Sequence, residues 1–510
     1  MNSLTGRVDG TVRPWSATPS RLLLPDPHAN CVRSPTGFAN EVDPLYNYKM
    51  LISTRGWWLC TGYKVLSPKS AVMSLSITLS HGRLLPTLLR VFGFCAILGV
   101  ISSAPATAAL PAADPGNSSE QTLAQNGDDG PTPYYRIVAL ANLGDGVVLA
   151  SFDGRPDGSD SPSPNSILQR RSTDNGATWG EVTYIAKGQP GGDGVQKYGF
   201  SDPSYIVDRE TGIVFNFHVF SKNQGFAGSV IGNDDKDLDV QSAEVSVSHD
   251  KGLTWSTDPE NQPNLPPVAS GEPGEPPLIT RAVKPVGTTQ NGVDNVGGVV
   301  GTFASSGEGI QLRYGEHAGR LIQQYAGTII QADGSTEFQA YSAYSDDGGV
   351  TWNMGTPVGT GMDENKVVEL SDGRVMLNSR DSGSTGYRKV AISTDGGVTY
   401  SEPKEEPQLP DPRNNAGITR MYPDAAEGSA DAKVLLFSNA NSKTDRVNGT
   451  IRYSCDEGKS WSSGRVFQSG DMSYSTLTAL DDGLIGLFYE GPDGKLILAT
   501  LDKAWIGVDC

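Results

Sequence analysis

Six short apolar runs punctuate the chain from residue 146 onward: "GVVLASFDG" (146–154), "GIVFNFHVF" (212–220), "GRLIQQYAG" (319–327), "GRVMLNSRD" (373–381), "KVLLFSNAN" (433–441) and "GLIGLFYEG" (483–491). Most open on Gly, and all have the length and β-branched or aromatic content of strands. They are counted as one strand from each of six units. A small antiparallel sheet repeated at intervals of about fifty residues predicts an all-β chain folded as a six-bladed β-propeller.

A second periodicity lies among the polar residues. Ser172, Asp174, Gly176, Thr178 and Trp179 form the first copy of a motif in which Ser, Asp, Gly, Thr or Ser, and Trp or Tyr keep fixed spacing. It returns at Ser248–Trp255, Ser345–Trp352, Ser393–Tyr400 and Ser454–Trp461. Its chemistry is that of a tight hairpin turn. Asp and Ser bond to loop N–H groups, Gly supplies a positive φ, and the aromatic ring packs as the next strand begins. These aspartates are therefore structural. Successive motif aspartates are 76, 97, 48 and 61 residues apart, so the two long gaps hold insertions. Residues 257–300 are one, read as a loop excursion with an added hairpin.

The first hundred residues follow neither rhythm. Residues 1–72 show no clear period. "MSLSITLSHGRLLPTLLRVFGFCAILGVISSAPATAALPAA", from Met73, runs from a basic flank at Arg83 and Arg90 through a short apolar stretch to Ala106-x-Ala108. That order is a secretory signal peptide, and the apolar run is too short for a comfortable membrane span. The expected organisation is a signal peptide over 73–108 with cleavage near Ala108, a linker over 109–130 and the propeller over 131–510. Residues 1–72 lie upstream of the true start, or are disordered. The expected product is secreted and monomeric, without a stable membrane anchor.

Composition narrows the function. The formal net charge is -18, and loss of residues 1–108 removes ten basic and four acidic side chains, leaving the rest more acidic still. So acidic a surface repels the phosphate backbone, and no nucleic-acid partner is expected. Gly (61) and Pro (33) suit a turn-rich all-β chain. Beyond residue 108 the cysteines are Cys455 and Cys510, and two cysteines in a secreted chain are candidates for one disulfide. His218, His249 and His317 are scattered without ligand spacing, and no metal or cofactor is expected.

Taken together, the five motifs resemble the Asp-boxes of the sialidase (neuraminidase) family. "YYRIVAL", "MDENKVVELSDGRVMLNSRDS" and "SYSTLTAL" resemble its active-site segments in the expected order, and the likeness is greatest to secreted actinobacterial sialidases. It covers roughly residues 130–510. It implies a glycoside hydrolase that releases terminal α-linked sialic acid from sialylated glycans with retention, through a tyrosyl intermediate. Transfer to a sugar acceptor, formation of an anhydro product, and a silent sialic-acid-binding propeller are the alternatives.

The substrate carries a carboxylate on its anomeric carbon, and planar guanidinium forks suit a fixed carboxylate. The resemblance assigns that clamp to Arg136, Arg380 and Arg446. Val138 stands where the family has Pro, and Arg136 is expected to keep its place. A carboxylate nucleophile would meet the substrate's own charge, whereas a phenol is neutral until its proton leaves; sialidases use such a Tyr nucleophile. The match gives Tyr474 as nucleophile and Glu364 as its base, with Asp363 and Glu369 as nearby rivals. Asp160 is the acid/base candidate, with Asp153 and Asp157 on the same stretch and Asp157 the main competitor. Arg155 and Asp202 resemble sugar-contacting residues. Phe303 is a candidate wall for the N-acetyl group.

Overall fold

The computed structural model describes residues 116, 118–257, 278–285 and 298–510 in full, and the backbone alone of five short strands outside them. Three of those, Val32–Arg33, Leu51–Ser53 and Gly56–Leu59, pair antiparallel within residues 1–105. The expected leader at 73–108 lies outside the described residues. Within the separate unit Ala106–Cys510 the chain forms a six-bladed β-propeller.

Blade 1 comprises Tyr134–Gly144, Val147–Arg155, Ser166–Ser172 and Thr183–Ala186. Blade 2 contains Gly199–Val207, Val214–Ser221 and Ser242–Ser248. Blade 3 contains Val299–Ala304, Leu321–Ile330, Thr336–Ser345 and Asn353–Met354. Blade 4 runs Met362–Glu369, Val375–Asp381, Tyr387–Ser393, Lys404–Pro410. Blade 5 runs Gly417–Arg420, Leu435–Ala440, Val447–Ser454, Arg465–Asp471. Blade 6 runs Ser475–Ala479, Ile485–Glu490 and Lys495–Leu501. The six apolar runs read from the sequence coincide with the second strand of each blade. The insertion does hold a hairpin, Thr288–Gln290 with Val293–Asn295, together with the short helix Thr280–Val283.

Blade 6 takes its fourth strand from the other end of the chain. Ser118–Gln125 pairs antiparallel with Lys495–Leu501, so the segment expected as linker is the strand that closes the ring. Its sequence, SSEQTLAQ, hides this role. It is an outer strand, and only Leu123 and Ala124 turn inward to be buried.

The same arrangement explains why six blades carry five boxes. Each box lies after the third strand of its blade, but the third strand of blade 6 is followed by the short helix Lys503–Ile506. In the first box, Asp174 accepts from the N–H (2.8 Å) and hydroxyl (2.6 Å) of Thr178, and the Ser172 hydroxyl accepts from Gly176 N–H (2.9 Å). The four other copies repeat the three bonds. The turn uses two consecutive left-handed residues, Asn175–Gly176 in the first copy, as a type I′ turn requires. The box aromatics reach across to the neighbouring blade; Trp352 meets Phe217 edge-on at 4.9 Å.

Among the described residues the buried apolar side chains fall into six clusters, one at each junction between adjacent blades. Cys455 in the fifth box is disulfide-bonded to Cys510, with Cα atoms 5.6 Å apart. At the axis, the segment after Ala304 bridges several inner strands. Gly307–Glu308 pairs with Ser204–Tyr205 of blade 2, Ser305 accepts from Asn365 N–H of blade 4 (2.6 Å), and Glu308 accepts from Thr478 of blade 6 (3.2 Å). A Cβ on Gly307 would lie 3.0 Å from Lys366 and Thr476, so only glycine passes there without a shift.

Candidate active site

In an up-and-down blade the start of strand one, the end of strand two and the start of strand three share one end of the ring. The chemistry-bearing residues obey this rule. Arg136, Asp202 and Glu364 lie near the starts of first strands, and Tyr474 immediately precedes one. Arg155 and Arg380 close second strands, and Arg446 precedes a third. The Asp-boxes occupy the opposite end.

These positions surround one cavity of about 770 Å³. All nine residues expected in catalysis or sugar binding line it: Arg136, Arg155, Asp160, Asp202, Phe303, Glu364, Arg380, Arg446 and Tyr474.

Local backbone irregularities aim several of them. The ladder of blade 1 slips between Arg136 and Val138, where Ile137 has φ 60°. Blade 2 slips around Asp202, with φ 65°, and blade 4 slips at Asp363–Glu364. A bulge turns a side chain that a regular strand would send elsewhere. Val138, in place of the family's Pro, is fully buried and pairs with Phe152.

Three guanidinium groups crowd Tyr474. Arg136 and Arg446 lie 5.2 and 5.3 Å from its ring centroid, and Arg380 Nη1 donates to its hydroxyl at 3.3 Å. The same Nη1 donates to Glu364 Oε2 at 2.5 Å, so base and nucleophile candidates meet on one nitrogen. Burial and the Glu364 charge push the Tyr474 phenol well above its ordinary value, while the three arginines oppose the shift. The phenol therefore rests protonated.

Each clamp arginine is itself held. Glu490 accepts from Arg136 Nη2 (3.2 Å) and from Ile137 N–H (2.7 Å). Arg380 Nε lies 3.2 Å from Asp363. Arg446 donates to the Ser473 hydroxyl and to the Arg413 carbonyl, each at 3.1 Å.

Asp160 is largely exposed on its loop and accepts from Arg155 Nη1 at 2.5 Å. Arg155, buried, donates twice more to the buried Asp153 (2.9 and 3.1 Å). Burial raises Asp153 despite these bonds, and burial together with Asp153 and Glu364 raises Asp202 well above the carboxylate range. Asp157 does not line the cavity; it accepts from Ser159 N–H and the Ser163 hydroxyl within the loop. Asp363 lines it but serves Arg380, whereas Glu369 accepts from Arg313 and Tyr314 N–H near the other end of its strand. Phe303 packs edge-on to Phe226 (5.0 Å), which also meets Phe338 (5.3 Å).

Sequence reasoning missed Glu490, Phe226, Gln241 and Arg413. Glu490 left a signal: it is the one charge in "GLIGLFYEG", and a carboxylate in a buried strand requires a partner. The others sit in loops or strands without local pattern.

Fold and cavity define a six-bladed propeller with an axial pocket lined by five arginines, Arg136, Arg155, Arg380, Arg413 and Arg446. Residues 312–487 match the family described as BNR repeat-like domain. The chain is 56% identical to the sialidase of Micromonospora viridifaciens over 391 residues, which is 77% of this chain and 55% of that protein. It is 29% identical to the sialidase of Bacteroides fragilis strain YCH46, over 71% of this chain and 61% of that one. The solved structure of a Hadza microbial sialidase superposes with a TM-score of 0.63 at 26% identity, covering 76% of this chain and 69% of the other. The propeller belongs to the sialidase family. The chain spans a little over half the length of the two sequence relatives.

Proposed function

We propose that the protein is a retaining exo-α-sialidase that removes terminal sialic acid from glycoconjugates through a tyrosyl intermediate. The observation that carries this reading is the convergence of Arg136, Arg380 and Arg446 on Tyr474, with Glu364 on the same Arg380 nitrogen as the phenol. The substrate carboxylate docks on the three guanidinium groups, which fixes the anomeric carbon over the phenol. Glu364 takes the phenolic proton as Tyr474 Oη bonds to that carbon. The glycosidic C–O bond breaks, and Asp160 protonates the departing oxygen. Asp160 then takes a proton from water, which attacks the same carbon, and Tyr474 leaves with its proton returned from Glu364. Two inversions give retention.

Arg155 fits the role of positioning Asp160. Its buried bonds to Asp153 fix the guanidinium, and the exposed acid is tethered to the remaining nitrogen. The leader-like segment at 73–108 supports secretion to reach such glycans, and no helix among the described residues is long and apolar enough to cross a membrane.

The deciding experiment is hydrolysis of an aryl α-sialoside followed by proton NMR. The α-anomer of sialic acid should appear first and then mutarotate. Initial β-anomer, or no release, would reject the retaining sialidase reading.

A further inference from the structure

Arg413 stands apart from the other arginines of the cavity. It lies in the segment between the outer strand of blade 4 and the inner strand of blade 5, is exposed, and lines the pocket. Arg136, Arg155 and Arg380 each pair with carboxylates, and Arg446 lies over Tyr474. Among the described residues the Arg413 guanidinium has no carboxylate within salt-bridge distance and no ring contact with Tyr474.

Its backbone, by contrast, is tightly fixed. Arg413 has φ 62°, a left-handed conformation that costs a non-glycine residue energy and persists only where the surroundings impose it. They do so here. Its carbonyl accepts from Arg446 (3.1 Å), Asn414 N–H donates to Asp411 (2.9 Å), the Asn414 side chain donates to Ser473 O (2.7 Å), and the buried Arg388 donates to Asn414 O (2.7 Å). A rigid turn thus presents an unpaired cation at the pocket wall beside the carboxylate clamp.

We infer that Arg413 forms a subsite for an anionic group on the leaving sugar, making it a specificity-determining residue that favours donors with a second negative charge. The inference rests on the sialidase reading. One sialic acid has one carboxylate, and three arginines already surround Tyr474 to receive it. The cavity, at about 770 Å³, lies in the upper part of the range of about 300–1,000 Å³ usual for small-ligand sites, which leaves room for part of the leaving sugar. The anion that fits a planar guanidinium there is the carboxylate of a penultimate sialic acid or a sulfate ester on a neutral sugar.

The test compares kcat/KM for three donors with the same terminal sialic acid: one leaving as lactose, one as sulfated lactose, one as a second sialic acid. Wild type and Arg413→Gln are assayed at low salt, with thermal midpoints to confirm folding. Arg413→Asn, whose side chain tolerates a left-handed backbone, replaces the Gln variant should that fail to fold. An exposed ion pair predicts a fall of about 5-fold in the ratio of anionic to neutral donor, shrinking as salt is raised. A fall confined to the sulfated or to the disialyl donor supports the subsite and identifies its anion. Turnover with both ratios unchanged overturns it. No turnover of any donor by the wild type overturns the sialidase reading and the subsite with it.

Discussion

Ile137 donates its main-chain N–H to Glu490 across 353 positions of sequence, at 2.7 Å, while holding a left-handed φ of 60°. A β-branched residue rarely adopts that conformation. The second oxygen of Glu490 receives Arg136, so one buried carboxylate both stabilises the bulge and orients the arginine it produces.

Glu490→Gln should therefore raise KM for a sialoside more than it lowers kcat, and should cost about 2 kcal/mol in urea unfolding at neutral pH. Burial pushes Glu490 up, but Arg136 and the Ile137 N–H hold it below its ordinary value overall. A carboxylate lowered in the folded state contributes stability that is complete above its unfolded value, about 4.3, and is lost as pH falls through the folded one. The stability difference between variant and wild type should narrow in that acid window. A difference that stays constant down to pH 2 would contradict the assignment.

Tyr474→Phe removes the proposed nucleophile with little change in shape. Turnover of a fluorogenic sialoside should fall at least about 100-fold. A fluorinated sialoside that traps the intermediate should add its mass to Tyr474 in the wild type and to no residue in the variant. A label that persists in Tyr474→Phe would place the covalent bond elsewhere.

Asp160→Ala should distinguish leaving groups. Natural glycosides, whose sugar oxygen needs a proton as it departs, should lose about 100- to 10,000-fold in kcat/KM. Aryl sialosides with acidic phenols should lose far less. Equal losses on both would count against Asp160 as the acid.

His218 supplies a test remote from the cavity. It is fully buried, with Nε2 2.9 Å from the Ser246 hydroxyl and its ring edge-on to Phe200. Burial pushes its imidazole down to about 3. Below the unfolded value of about 6.5 the unfolded chain binds the proton and the folded one does not, so acid favours unfolding. Between pH 7 and pH 5 the wild type should lose about 2 kcal/mol more than His218→Gln. Parallel stability curves for the two proteins would rule this out.

The Cys455–Cys510 bridge closes a loop of 55 residues. Loop entropy alone puts its contribution at about 4 kcal/mol, with about 2–4 typical. Cys510→Ser should lower the stability in water and steepen the urea slope, because the unlinked unfolded chain exposes more surface, and a reducing agent should do the same to the wild type; an unchanged stability would show that the bridge contributes nothing.

What the sequence disclosed depended on distance along the chain. The boxes were legible because Ser172, Asp174, Gly176 and Thr178 bond to one another within one turn, so their spacing is written in a few consecutive letters. Second strands such as Ile485–Glu490 were legible because burial on both faces makes them uniformly apolar. The Ser118–Gln125 strand was not, since its partner lies some 370 residues away and its outer face is polar. Asp153 was passed over for a similar reason: its partner Arg155 is near, but its depth within blade 1 appears only once the ring is formed. Of the cavity, the residues carried by family motifs were readable, while Glu490 and Arg413 depend on contacts between distant segments.

The pairing of Ser118–Gln125 with Lys495–Leu501 also sets an order of events. The first of these strands leaves the ribosome before any blade exists, and its partner follows only after the first five blades. Blades 1 to 5 can dock one against the next as they emerge, but the seam must wait until Lys495–Leu501 has been made. Until then the nascent propeller is an open horseshoe, and a fragment lacking blade 6 keeps the apolar flanks of its first and fifth blades exposed to water.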